Sequence, residues 1–265
     1  MSVTSLLNPV LEIALEAGEK ILAIYHSDFA VTHKDDDSPL TQADLAAHTH
    51  IATELKILSP TLPVLSEEAA TIPYAERKRW PRYWLVDPLD GTKEFIKRNG
   101  EFTVNIALIE NQRPILGVVH APAKSESYAA AQGAGAMSYR NAQKYPIRVR
   151  PRPSRPQFLV SRSHRDEALE RVLRHAPPFD ALGIGSSLKF CRIAEGAADL
   201  YLRTGPTSEW DTAAGHCVLE QAGGAVWQLP QKTALAYNQK DSLLNPGFAA
   251  VGDAKADWGW LNKSP

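Results

Sequence analysis

The chain has little of what would tie it to an oxidising compartment, a nucleic-acid polymer or a lipid bilayer. It carries only two cysteines, Cys191 and Cys217, and no CxxC pair. Two thiols in 265 residues fit a reducing cytosol better than a secreted, disulfide-stapled protein. An excess of one charge is also missing. Lys and Arg total 29 against 30 Asp and Glu, a formal net charge of −1, so the basic surplus of a DNA or RNA binder is absent. No uninterrupted apolar run reaches transmembrane length. Glu12, Glu16, Glu19 and Lys20 interrupt the N-terminal segment, which excludes a secretory apolar region there. Repeats and low-complexity tracts are lacking too. The expectation is a soluble, cytoplasmic protein. Peripheral association with the cytoplasmic face of a membrane stays open, as does the oligomeric state.

What is present is ordinary globular material, 44% hydrophobic and 22% charged, enough for one large domain or two packed halves. Apolar residues recur at helical spacing over 6–25, and a second helix is predicted over 41–58. A short strand over 62–66 and another over 83–86 follow. Residues 102–109, 115–121 and 127–131 read as successive antiparallel strands. A Pro/Arg-rich stretch at 150–156 marks the boundary between halves. Beyond it, strands are predicted at 158–161, 182–184 and 198–202. Helices are predicted at 166–175, 188–195 and 211–221, the last closed by Gly223-Gly224. Helices and strands alternate in blocks, which suggests stacked α and β layers. The chain is expected to form a single unit, with an N-terminal half of about residues 1–150 and a C-terminal half of about 157–265.

One segment concentrates the chemistry. Residues 84–92 read Trp-Leu-Val-Asp-Pro-Leu-Asp-Gly-Thr, an apolar run ending in Asp87 and Asp90, held three positions apart by a proline turn. Pro88 fixes its own φ and biases Asp87 toward an extended conformation. Paired carboxylates at a strand tip suit Mg²⁺, which takes oxygen ligands in an octahedral shell. Two such cations can clamp the attacking and leaving oxygens of a phosphate ester. Turn chemistry alone would make the same residues an ordinary surface turn. Three further features bear on the choice. Glu67 and Glu68 follow the strand predicted over 62–66. Thr41-Gln42-Ala43-Asp44 and Glu209-Trp210-Asp211 place acids at two helix starts, where capping is the plain alternative. Jointly they put Asp44, Glu67, Glu68, Asp87, Asp90 and Asp211 near element ends, where a metal site could assemble.

On these residues the chain resembles the lithium-sensitive, Mg²⁺-dependent phosphatase family that includes inositol monophosphatase, fructose-1,6-bisphosphatase and 3′(2′),5′-bisphosphate nucleotidase. The family pattern is an acidic residue after a strand, then Asp-Pro-hydrophobic-Asp-Gly-Thr, then Trp-Asp in the C-terminal third. All three occur in order, as Glu67, Asp87 to Thr92, and Trp210-Asp211 with Ala213-Ala214-Gly215 close behind. The resemblance runs from about Ile21 to Gly252. The continuation from Lys93 to Ala107 is similar to the bacterial bisphosphate nucleotidase branch, and differs from the Gly-Thr-Thr-Asn-Phe usual in inositol monophosphatases. Ser161-Arg162-Ser163-His164, Gly185-Ser186-Ser187-Leu188-Lys189 and Tyr201-Leu202-Arg203 also resemble that branch.

The resemblance implies an α+β fold, a layered α-β-α-β-α sandwich. It implies two or three Mg²⁺ ions, bound by Glu67, Asp87, the Leu89 carbonyl, Asp90 and Asp211, with Asp87 bridging and Glu68 helping a weaker third ion. The reacting water would be activated by the metal, with the Thr92 hydroxyl, oriented by Asp44, aligning it. Backbone N–H groups of Gly91 and Thr92 would meet phosphate oxygens, with Glu67, Leu89, Asp90 and Asp211 also facing the substrate. Gly91 would lack a side chain so that the phosphate can approach the backbone. His164, Ser186, Lys189 and Arg203 would contact the second phosphate, ribose or base. Lys189 and Arg203 have a plain alternative as solvated surface charges, and His164 as a structural hydrogen-bond partner. The six tryptophans offer no clear base-stacking site. The implied substrate is a small bisphosphate nucleotide, 3′-phosphoadenosine 5′-phosphate, cleaved to AMP and phosphate in sulfate assimilation. Two rivals stand beside it: an inositol or sugar phosphate phosphatase, and a non-catalytic regulatory module on the same fold. Keeping several repelling carboxylates together argues against the second rival.

Overall fold

A computed structural model of the chain describes residues 2–27, 39–161 and 167–263. Two helices come first, α1 (Val3–Tyr25) and α2 (Pro39–Leu58). α1 starts three residues earlier than its apolar periodicity predicts, because the Ser2 hydroxyl accepts the Ser5 N–H at 3.2 Å and caps it. A seven-stranded sheet then runs in strict sequence order. Its strands are β1 (Val64–Ser66), β2 (Arg82–Asp90), β3 (Thr103–Glu110), β4 (Arg113–Ala121), β5 (Glu126–Ala131), β6 (Gly135–Arg140) and β7 (Gln143–Pro146). The short helix α3 (Tyr74–Arg77) lies between β1 and β2, and α4 (Thr92–Ile96) between β2 and β3.

The second sheet takes β8 (Gln157–Ser161), β9 (Asp180–Ile184), β10 (Leu200–Arg203), β11 (Ala225–Gln228), β12 (Thr233–Ala234) and β13 (Phe248–Val251), in the order β12-β11-β13-β10-β8-β9. Helices α5 (Glu167–Leu173), α6 (Leu188–Ala194) and α7 (Trp210–Gln221) alternate with these strands. The sequence does not predict β6, β7 or β11 to β13. β7 is exposed at all four positions and so has no apolar alternation to read.

The alternation of strand side chains sets the layers. Trp84, Val86, Val104, Ile106 and Leu108 face one way and pack on the apolar stripes of α1 and α2. Leu85, Ala107, Ile109 and Val119 face the other way, against α6 and α7. That middle core also takes Leu159, Tyr201, Phe248 and Ala250 from the second sheet, so α6 and α7 are enclosed between two sheets. Phe158, Leu200, Leu202 and Val251 point outward to α5 and to Trp258, Trp260 and Leu261 of the C-terminal 3₁₀ turn. The stack is α-β-α-β-α, the architecture expected from the sequence. No helix among the described residues is long and apolar enough to cross a membrane.

α7 must lie close to β4 for this stack to close. A Cβ on Gly117 of β4 would fall 2.4 Å from the Ala214 carbonyl oxygen and 2.8 Å from Cys217 Cβ. Both cysteines are buried and free. On the opposite face of the first sheet, His120 of β4 is buried beneath α1. A Cβ on Gly18 would come within 2.5 Å of its Nε2. His120 Nδ1 lies 2.9 Å from the Ser127 hydroxyl. Burial pushes its pKa down from 6.5 to about 4, partly offset by its bond with the Glu126 carbonyl.

Gly117→Ala is expected to cost about 1–3 kcal/mol through overpacking, read as a lower urea midpoint with an unchanged m-value. For His120 the unfolded chain binds the extra proton between pH 6.5 and about 4, so the folded state loses stability as pH falls through that window. His120→Gln is expected to flatten this acid limb, and an unchanged dependence of the unfolding midpoint on pH would refute the assignment.

Candidate active site

β2 does not stop before the aspartates. It continues through Pro88 to Asp90, pairing Asp87 with Asn105 and Asp90 with Thr103 of β3. Three steps on β2 therefore oppose two on β3, which is a bulge holding one extra residue. The predicted proline turn is thus a bulged strand end. Proline is tolerated there because the bulge interrupts the ladder. Leu89 turns its side chain into the apolar layer beneath α1 and α2, and its N–H donates to Asp87 Oδ1 at 3.1 Å. Gly91 follows with φ +100°, a left-handed conformation, and a Cβ there would crowd the Glu101 carbonyl at 3.0 Å. Its lack of a side chain is thus required by the fold itself.

The other carboxylates arrive on separate elements. Glu67 and Glu68 open a 3₁₀ turn immediately after β1, as expected, and both residues are exposed. Asp44 does not cap a helix, since α2 begins at Pro39 and places it in the second turn. Asp211 lies in the first turn of α7, where its Oδ2 folds back to accept the Ser208 N–H at 2.9 Å. Asp90 Oδ2 accepts the Ser187 N–H at 2.7 Å and the Ser187 hydroxyl at 2.9 Å.

These groups feel one another. Burial, then repulsion from Glu68 and Glu67, pushes the Asp44 carboxyl up to about 8. Asp87 is held well above the carboxylate range by complete burial, then by Asp90, Glu67, Asp211 and Asp44. Asp211 is raised to about 7 by burial and by Asp90, against the relief that the Ser208 N–H provides. Glu67 is raised by burial, partly offset by a hydrogen bond with Asp87, then by Asp90 and Glu68.

Asp90, Glu94 and Asp211 line a cleft of about 280 Å³ together with Thr92, Ser186, Lys189 and Arg203. Lys189 and Arg203 are only 6% and 9% exposed, so the surface-charge reading of both is wrong. Lys189 Nζ donates to the carbonyls of Ser186 at 2.7 Å and Ile184 at 3.2 Å, and sits 5.0 Å from the Tyr201 ring centroid. Burial lowers its pKa to about 8. Arg203 donates to the Pro206 carbonyl, while its Nε is buried without a partner. Ser186 takes a left-handed φ of 47° in the turn that delivers Ser187. No hydrogen bond joins Asp44 to Thr92, and Asp44 Oδ1 is buried without any partner. His164 lies outside the described residues.

Sequence reasoning missed Ser187 and Asn105. Ser187 connects Asp90 to the Asp211 carbonyl, which its hydroxyl meets at 2.7 Å, and Asn105 Nδ2 donates to that hydroxyl at 2.9 Å. Asn105 left a trace in the sequence. With Thr103 it forms a polar alternation inside an otherwise apolar strand, both buried.

Among the described residues, no three Asp, Glu, His or Cys side chains close on a single point. Asp90 and Asp211 are turned toward N–H donors instead. The donor set still fits a hard divalent cation. It is all oxygen, without thiol or imidazole, and such a cation would relieve the mutual repulsion.

The inositol monophosphatase family profile matches residues 2–257. The 3′(2′),5′-bisphosphate nucleotidase CysQ of Salmonella typhimurium is 50% identical over 246 residues, 92% of this chain and 98% of that protein. Its namesake in Haemophilus influenzae is 39% identical over 96% of this chain and 95% of its own length. The crystal structure of CysQ from Bacteroides thetaiotaomicron, a bacterial member of the inositol monophosphatase family, superposes with a TM-score of 0.86 at 40% identity. The match covers 93% of this chain and 97% of that one. An inositol monophosphatase from Zymomonas mobilis shares the fold at a TM-score of 0.80 and 22% identity, covering 98% of both chains.

Asp44→Asn is expected to raise the unfolding midpoint in chelator. The unfolded carboxyl ionises near 3.8 and the folded one near 8, so ionisation penalises the folded state increasingly across that window. The gain over wild type should grow with pH up to about 8, and a pH-independent difference would remove the argument from burial and repulsion.

Proposed function

Because the chain belongs to the inositol monophosphatase family, we propose that its acidic cleft is that of a Mg²⁺-dependent phosphomonoesterase. The substrate is 3′-phosphoadenosine 5′-phosphate, released as AMP and phosphate. The observation carrying this reading is that Asp90 and Asp211 share one cleft with two buried cations, Lys189 and Arg203. Carboxylates alone suit any metal-assisted phosphate ester hydrolysis. Lys189 faces Asp90, Glu94 and Glu101, and Arg203 faces Asp211. With Asp90 and Asp211 engaged by a metal, these buried cations can meet a further anion, which offsets the cost of burying them. A substrate with a second phosphate supplies that anion. The relatives named bisphosphate nucleotidase support the same choice.

Glu67, Asp87, the Leu89 carbonyl, Asp90 and Asp211 would hold two Mg²⁺ ions, with Glu68 near a third. Mg²⁺ bound there would lower the pKa of an attacking water and neutralise charge on the phosphate. The chain's own residues do the rest. Backbone N–H groups of Gly91 and Thr92 meet phosphate oxygens at the start of α4. Asp44 Oδ1, without a partner in the fold, takes up the proton of the attacking water directly or through the Thr92 hydroxyl. Ser186, Lys189 and Arg203 hold the second phosphate, and His164 completes recognition of the nucleotide. Such a substrate, turned over in sulfate assimilation, would be met in the cytosol.

With Mg²⁺ present, phosphate release from 3′-phosphoadenosine 5′-phosphate is expected to exceed release from inositol 1-phosphate, and the reverse ranking would sink the proposal. Asp90→Asn and Asp211→Asn are expected to lower kcat by orders of magnitude without loss of the folded state, as judged by circular dichroism. Lys189→Met should raise KM for the bisphosphate more than for 3′-AMP. Chelation should abolish turnover, and added lithium should inhibit it.

A further inference from the structure

Arg77 is among the most deeply buried charges in the molecule, 1% exposed, and none of the chemistry above uses it. It ends α3, in the same β1–β2 connection that carries Glu67. Its guanidinium reaches across to a loop about 160 residues away. One arm donates to Asn238 Oδ1 at 2.5 Å, the other to the carbonyls of Lys240 at 3.0 Å and of Asp241. Asn238 answers with its Nδ2, which donates to the Arg77 carbonyl at 2.7 Å. The Tyr74 hydroxyl adds a bond to the Gln239 carbonyl at 2.7 Å, and the Tyr74 ring lies 5.0 Å from the guanidinium carbon.

The far side of that loop grips the start of α7. Asn238 holds a left-handed φ of 55°, and its N–H points at both carboxylate oxygens of Glu209, each 2.9 Å away. Glu209 is itself 3% exposed and sits two residues before Asp211. Its own N–H donates to the Leu243 carbonyl at 2.8 Å. Asn245 Nδ2 binds the Ser208 carbonyl at 2.7 Å. One continuous run of hydrogen bonds thus joins the segment bearing Glu67 to the segment bearing Asp211.

We infer that Arg77 is a positioning residue for the metal site: through Asn238 and Glu209 it fixes the placement of the Asp211 arm relative to the Glu67 arm. The inference rests on the metal-dependent reading of the cleft. Its physical basis is the guanidinium fork, whose two terminal nitrogens hold three acceptors on one loop in a fixed planar geometry, where a lysine ammonium offers a single rotatable nitrogen and an apolar side chain offers no donor. A buried charge kept only for stability would be replaceable, since apolar residues of similar volume often match or exceed such groups. Loss of orientation is what an apolar replacement cannot repair.

The test is Mg²⁺ binding to the full chain by calorimetry, without substrate. Arg77→Met and Asn238→Gly are each expected to raise the Mg²⁺ dissociation constant by about tenfold or more. Asn238→Gly keeps the left-handed backbone while cutting both side-chain bonds, so it reads the effect even where Arg77→Met fails to fold. Arg113→Met, which removes the pair with Glu220 at the other end of α7, should leave Mg²⁺ binding unchanged. A folded Asn238→Gly with wild-type Mg²⁺ affinity overturns the inference and leaves the proposed activity standing. A wild-type chain that binds no Mg²⁺ overturns both.

Discussion

Mutual repulsion among carboxylates is the constraint on which this structure turns. Asp44, Glu67, Asp87, Asp90 and Asp211 come from four separate elements, and each pushes on others within one partly buried cluster. No local segment would adopt this arrangement by itself, because charge and desolvation both oppose it. The surrounding layers must over-determine it. They do so with a bulged central strand, with N–H donors from Ser187 and Ser208, and with two sheets that enclose α7 between them. Stability is given up locally and recovered in three apolar cores.

The supporting donors show how the local cost is managed. Asp90 and Asp211 are each anchored through one oxygen by backbone N–H groups, bonds to charged acceptors that are stronger than neutral ones. Ser187 belongs to both anchors at once, since it also meets the Asp211 carbonyl. A left-handed residue, Ser186, and the Lys189 ammonium shape the turn that presents it. The cleft is held by backbone geometry first and by side-chain charge second.

Much of this was legible in the sequence, for physical reasons. Amphipathic stripes mark α1 and α2, and apolar alternation marks β3 to β5, because burial on one face imposes those periods. The acidic positions were legible because they sit at element ends in a recognisable order. Bonds that cross the fold were not. Nothing near Arg77 in the chain marks it as buried, since its partners are about 160 residues away. The burial of Lys189 and Arg203 was not legible either, because exposure depends on which layers stack above them. The bulge at Pro88 is likewise a property of the pairing between β2 and β3, and a single strand cannot display its partner's register.

The orders of strands in the two sheets differ in a way that bears on how the molecule is made. The first sheet is a chain of neighbours, each strand beside the next in sequence, so its ladders from β2 onward close mostly through short loops. The second sheet places β10 between β8 and β13, and β13 between β10 and β11, so distant segments must meet before it can form. Closing longer loops costs more entropy and slows assembly. The kinetic burden of this fold therefore falls on the half that delivers Asp211, while its partners on β2 belong to the half whose contacts are local.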